Sequence, residues 1–92
     1  MEKDYSLTKR AMFAMTTGEI ERAKFLQRKL LTCDRISKSF LRQSRQLERK
    51  NYNFEIALKQ EALRAARAYI DKIKHQYLQE LTSLEYKAYE GN

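Results

Sequence analysis

Proline is absent from all 92 residues, and glycine occurs only at Gly18 and Gly91. Proline removes a backbone donor and clashes with the preceding turn, and glycine costs about 1 kcal/mol in a helix interior. Between the two glycines nothing therefore interrupts helix except the short stretch Asn51-Tyr52-Asn53. Cysteine and histidine occur once each, as Cys33 and His75. A lone cysteine excludes an internal disulfide and fits a reducing compartment such as the cytoplasm. Two candidate ligands fall short of the three or four that zinc requires, and no glycine-rich phosphate loop can be assembled, so no metal or cofactor site is expected. No run approaches the roughly 18 apolar residues of a membrane span. The run Ala11-Met12-Phe13-Ala14-Met15 is too short for a signal-peptide core. The expectation is a soluble protein of the cytoplasm, not exported by a cleaved signal.

What is present is charge and helix-forming apolar residues. The chain is 34% charged and 42% hydrophobic, near the profile of long helices and coiled coils. A chain this short buries only roughly 60% of its unfolded surface, so its core is marginal unless it oligomerises, and self-association is expected. The net charge of +7 is localised. Residues 22–50 hold ten basic side chains (Arg22, Lys24, Arg28, Lys29, Arg35, Lys38, Arg42, Arg45, Arg49, Lys50) against Asp34 and Glu48, a surplus of +8. An acidic partner is to be sought on that stretch.

A first short helix is expected from Asp4 or Ser6 to Met15, because Leu7, Ala11, Ala14 and Met15 recur at three- and four-residue steps. Thr16-Thr17-Gly18-Glu19 has the form of a capping box and starts a second helix, running to about Lys50 and spanning about 48 Å. Its seam reads Ala23, Leu26, Leu30, Cys33, Ser37, Phe40, Ser44 and Leu47. Asn51, Tyr52 and Asn53 form a tight turn, with Asn53 able to cap a third helix from Phe54 to about Tyr89 and Gly91 as its C-cap. The matching seam is Ile56, Leu63, Ala66, Ile70, Ile73, Tyr77 and Leu84. The reading is all-α: one domain over residues 1–92, with helices at about 5–15, 18–50 and 54–89. It is an antiparallel, coiled-coil-like long hairpin with a short leading helix, expected to form a dimeric bundle. Asp34/Lys38, Glu55/Lys59, Glu61/Arg64 and Asp71/Lys74 are expected as exposed pairs supporting helix.

Phe25, Leu31, Ile36 and Leu41, with Leu58, Leu78 and Leu81, fall beside the seams. A two-helix hairpin cannot cover both sets, so the surplus packs against the first helix and a second copy, or docks another protein. Met12, Phe13 and Met15 either form a lid over the bundle end or offer an adaptable apolar surface. Arg28, Arg35, Arg42 and Arg49 recur every seven residues, in one line opposite the seam, flanked by Lys24, Lys38 and Arg45. Such a line suits an acidic protein surface or a phosphate backbone, and is otherwise a solvated face. Phe40 and Tyr77 sit on the seams, while Tyr52, Tyr86 and Tyr89 fall at hairpin ends, where tyrosine suits a protein interface. In the hairpin Cys33 faces the region of Asp71, which brings His75 about a turn away. No third residue is placed to orient that histidine, and no catalytic residue is expected.

Ala11, Gly18 and Ala23, within residues 11–23, resemble one tetratricopeptide repeat, with small residues at two helix contacts and a glycine at the turn. The likeness covers about a third of the chain. Leu7 and Arg10 occupy the usual aromatic and leucine positions, the closing proline is missing, and no second repeat follows. A lone hairpin of this kind followed by a longer helix looks like the small bacterial type III secretion and flagellar-export chaperones. That resemblance implies a chaperone holding a protein by helix packing, with Ala11, Gly18 and Ala23 as packing residues. The expectation is a non-catalytic protein-binding module, a chaperone, adaptor or inhibitor. It would dock through Met12, Phe13, Met15, Phe25, Leu31, Ile36 and Leu41 and meet acidic or phosphate groups through Arg28, Arg35, Arg42 and Arg49. The alternative is a nucleic-acid-binding regulator using the same arginines.

Overall fold

In the computed structural model, which describes residues 5–90, three helices account for nearly the whole chain, with no strand among the described residues. They are α1 (Lys9–Ala14), α2 (Thr17–Glu48) and α3 (Phe54–Glu90). The absence of interior breakers lets α2 and α3 run 32 and 37 residues, and they pack along each other as an antiparallel hairpin measuring 59 × 21 × 17 Å.

Side-chain caps set the boundaries. Thr16 Oγ1 accepts from the Glu19 amide at 3.2 Å and Glu19 Oε1 accepts from the Thr16 amide at 3.0 Å, the reciprocal box that starts α2. Those bonds also hold the Glu19 carboxyl below its ordinary range. The Ile56 amide donates to Asn53 Oδ1 at 2.9 Å, which starts α3. The first helix starts later than its periodicity suggested. Thr8 is its N-cap, with Oγ1 accepting from the Ala11 amide at 3.2 Å. Ser6 stays outside it, because the preceding Tyr5 is held against α2 by its carbonyl, which accepts from Gln27 Nε2 at 2.8 Å, and by its hydroxyl. Asp4 and Gly91, the other expected terminal signals, lie outside the described residues.

The seam buries Ala23, Leu26, Leu30, Cys33 and Leu47 from α2 and Ile56 from α3, as expected. Leu81 does not lie beside the seam but inside it, clustered with Tyr5, Ala23, Leu26 and Leu30. Ala88 is buried with Ala11 and Met15 in a second cluster. Tyr5, ahead of α1, covers Leu81, and α1 leans on the end of α3 over Ala88, so the N-terminal segment turns inward a sector that a bare two-helix seam would leave outside. Thr8 and the Tyr89 hydroxyl share a hydrogen bond, and the Arg10 guanidinium lies 5.7 Å from the Tyr89 ring, so Tyr89 fastens α1. The core is thus thickest at the open end of the hairpin, while at the turn end two helices alone leave Leu63, Ala66 and Ile70 half-buried.

Ala11 and Ala23 are fully buried packing residues. Gly18 is exposed, and a Cβ added there meets nothing within 4 Å, so its lack of a side chain serves no close approach.

Candidate protein-binding surface

The outer face of α2 rises from the heptad spacing of its arginines. At 3.6 residues per turn, Arg28, Arg35, Arg42 and Arg49 form one line facing away from α3, and all four are exposed. Beside the line runs a groove of about 590 Å³ whose apolar floor comes from Leu31 and Leu41 and whose walls are Arg35, Lys38, Arg42 and Arg45. Leu31 is 46% exposed. A second, narrower groove of about 320 Å³ continues from Leu41 and Arg45 across to Arg64 and Arg67 of α3, with Glu48 as its one acid.

The charge of this face is uncompensated. The ion pairs of the described residues are Arg22–Glu80, Lys59–Glu55, Lys74–Asp34 and Lys87–Glu19, none of which uses a basic residue of either groove. Asp34 does not pair with Lys38. It turns toward α3, where Lys74 Nζ stands 2.5 Å from Oδ1 while the Tyr5 hydroxyl donates to Oδ2 at 2.6 Å. A half-buried cross-helix pair is less screened than an exposed one along a helix. For the same reason Lys74 leaves Asp71. Glu61 and Arg64 form no pair, which leaves Arg64 to the groove.

This knot predicts a pH dependence. The Asp34 carboxylate, by hydrogen bond, raises the Lys74 ammonium pKa, and burial followed by the bond to Asp34 raises that of the Tyr5 phenol. Both groups therefore contribute stability that is complete below their ordinary values near pH 10 and lost as pH rises through the raised ones. Urea midpoints followed by circular dichroism are expected to stay level from neutrality to about pH 8, to begin falling as the buried Cys33 thiol, its pKa also raised by burial, resists ionisation, and to fall further above about pH 10. A smaller alkaline fall is expected in Tyr5→Phe.

The apolar residues proposed for docking do not form one face. Met15 is 8% exposed and packs on Ala11 and Ala88, so it belongs to the interior, whereas Met12 and Phe13 are 39% and 92% exposed at the hairpin base. Phe25 is half-buried against the Leu26–Leu81 cluster, with the Arg22 guanidinium 4.8 Å and the Lys29 ammonium 5.2 Å from its ring. Arg22 is in turn held by both carboxylate oxygens of Glu80. Phe25 and Ile36 lie roughly 120–160° around α2 from Leu31 and Leu41. Only the two leucines share a surface with the arginines.

Arg64 and Arg67 were missed as partners of this face. Their three-residue spacing marks one side of α3, but their nearness to Arg45 depends on how the helices pair. Cys33 is buried, and burial, then the Asp34 charge, raises its thiol pKa, which opposes thiolate formation. His75 is exposed on α3, beside a shallow groove formed with Leu78, Gln79 and Thr82, and no hydrogen bond joins it to Cys33. Among the described residues no cluster of three or more His, Cys, Asp or Glu side chains is placed to hold a metal ion, and no helix is long and apolar enough to cross a membrane. Comparison with protein-family models, curated proteins and solved structures returned no match to this chain.

Proposed function

We propose that the chain is a non-catalytic protein-binding module of the cytoplasm whose α2 outer face receives an acidic, amphipathic segment of a partner protein. The observation that carries this reading is the groove in which Leu31 and Leu41 lie between Arg35, Lys38, Arg42 and Arg45, none of them ion-paired. Apolar anchors inside a basic frame match a helix with leucines on one face and carboxylates beside them. Chaperone, adaptor and inhibitor are roles of this kind. The unpaired line Arg28, Arg35, Arg42 and Arg49 favours a second reading, contact with a nucleic-acid backbone, to which the leucines would add little.

Two variants separate the readings in fluorescence anisotropy titrations with a labelled acidic amphipathic peptide and with a labelled oligonucleotide, at low and high salt. The peptide is expected to bind, and replacing the four line arginines with glutamine is expected to weaken it roughly tenfold or more. Leu31→Gln with Leu41→Gln is expected to weaken the peptide by a similar factor. Oligonucleotide binding that is lost with the arginines, retained with the glutamine-for-leucine variant and steeply salt-dependent, without peptide binding, favours the second reading.

A further inference from the structure

The chain exposes 7270 Å², whereas a compact monomer of its 11.0 kDa mass exposes about 5,600 Å². Its radius of gyration is 17.8 Å against about 12 Å for a compact chain of this length. The excess surface, about 1,700 Å², exceeds the roughly 800 Å² that each partner contributes to a stable interface. A second copy of the chain could cover part of it, and charge decides which face is available. Two copies joined by their α2 outer faces would set the unpaired arginines against one another. Helix α3, by contrast, carries six basic residues (Lys59, Arg64, Arg67, Lys72, Lys74, Lys87) against six acidic ones (Glu55, Glu61, Asp71, Glu80, Glu85, Glu90), a net charge of zero with His75 neutral.

On α3 the residues Leu58, Ala62, Ala65 and Tyr69 follow one another at steps of four, three and four, and all are exposed, Leu58 by 53% and Tyr69 by 64%. This is the spacing of a coiled-coil seam, and it runs along a flank of α3 that neither α1 nor α2 covers. The two alanines in its middle permit close approach of another helix. We infer that α3 carries a self-association seam on which the α3 of a second copy packs antiparallel, across a two-fold axis between Leu63 and Arg64. In that register Leu58 meets Tyr69 of the other copy and Ala62 meets Ala65, in alternating layers. One further layer outward, Glu55 meets Lys72, so each end of the apolar stripe closes on opposite charges. A parallel, in-register pairing would instead set Glu55 on Glu55 and Lys72 on Lys72. The arrangement is isologous, closes at two copies and leaves both α2 outer faces pointing away from the interface. It does not depend on what α2 binds.

Light scattering on a sizing column tests the seam. The unmodified chain is expected at twice 11.0 kDa; a monomer at all protein concentrations overturns the inference. Leu58→Glu with Tyr69→Glu is expected to give a monomer with unchanged helicity, since both side chains are exposed within one chain. Retained dimer in that variant places the interface elsewhere and also overturns it. Orientation is read from a Cys33→Ser background by adding Leu58→Cys or Tyr69→Cys and treating with a short bismaleimide. Each cysteine lies about 16 Å along the axis from its own copy, so cross-linking is expected only when the two variants are mixed. Cross-linking of either variant alone overturns the antiparallel register.

Discussion

Leu30→Ala is expected to lower the free energy of unfolding by about 3–4 kcal/mol, near the middle of the range for deleting a buried leucine. Leu30 is fully buried, and with Leu26 it is one of the two largest side chains sealed from solvent, packed among Tyr5, Ala23 and Leu81. The cavity opens between α2, α3 and the Tyr5 segment ahead of α1, so neither long helix can move to refill it without losing contact with the other. A domain of this size has about 5–14 kcal/mol of stability in total, and one methyl-bearing branch of its core therefore accounts for a large share. Urea unfolding followed by circular dichroism, at one fixed protein concentration, reads the change directly. The neighbouring Leu31→Ala is the control. Leu31 is 46% exposed on the outer side of the same turn, and its truncation is expected to cost under about 1 kcal/mol. Equal costs at the two positions would mean that the seam does not pass through Leu30.

Asp34→Ala is expected to cost about 2 kcal/mol, below the 3–5 kcal/mol of a fully buried pair because both partners keep some solvent contact. The side chains of Asp34 and Lys74 are 20% and 26% exposed. Removing the carboxylate leaves the Lys74 ammonium half-buried beside the Tyr5 ring, 6.0 Å from its centre, and takes away the acceptor of the Tyr5 hydroxyl. The segment leading into α1 is expected to loosen with it, seen as faster amide hydrogen exchange in α1 than in the middle of α2. A second change, Lys74→Met, is expected to recover part of the loss, because the stranded charge is then gone. A double variant whose cost equals the sum of the two single ones would show that the pair does not act as a unit.

The length of the helices follows from residues that are missing: without proline, and with glycine confined to positions 18 and 91, α2 could end and α3 begin only around Asn51-Tyr52-Asn53. Local caps are equally legible, since the Thr16–Glu19 box and the Asn53 cap act within three residues. The arginine line is legible too, because seven residues are two turns of helix wherever the helix lies. The rest depended on distance in sequence. Thr8 starts α1 in place of Ser6 because Tyr5 is held by Gln27 and Asp34, more than twenty residues away. Leu81 faces inward because Tyr5 packs on it together with α2, and Ala88 and Met15 are interior because α1 closes over the end of α3. Asp34 chooses Lys74 over Lys38, and Arg64 and Arg67 extend the α2 groove, only once α2 and α3 lie side by side. Periodicity and capping act along one helix and can be read from neighbours in the chain. Burial, charge pairing and the joining of two basic edges arise between helices, and only the packing of α1 and α2 on α3 decided them.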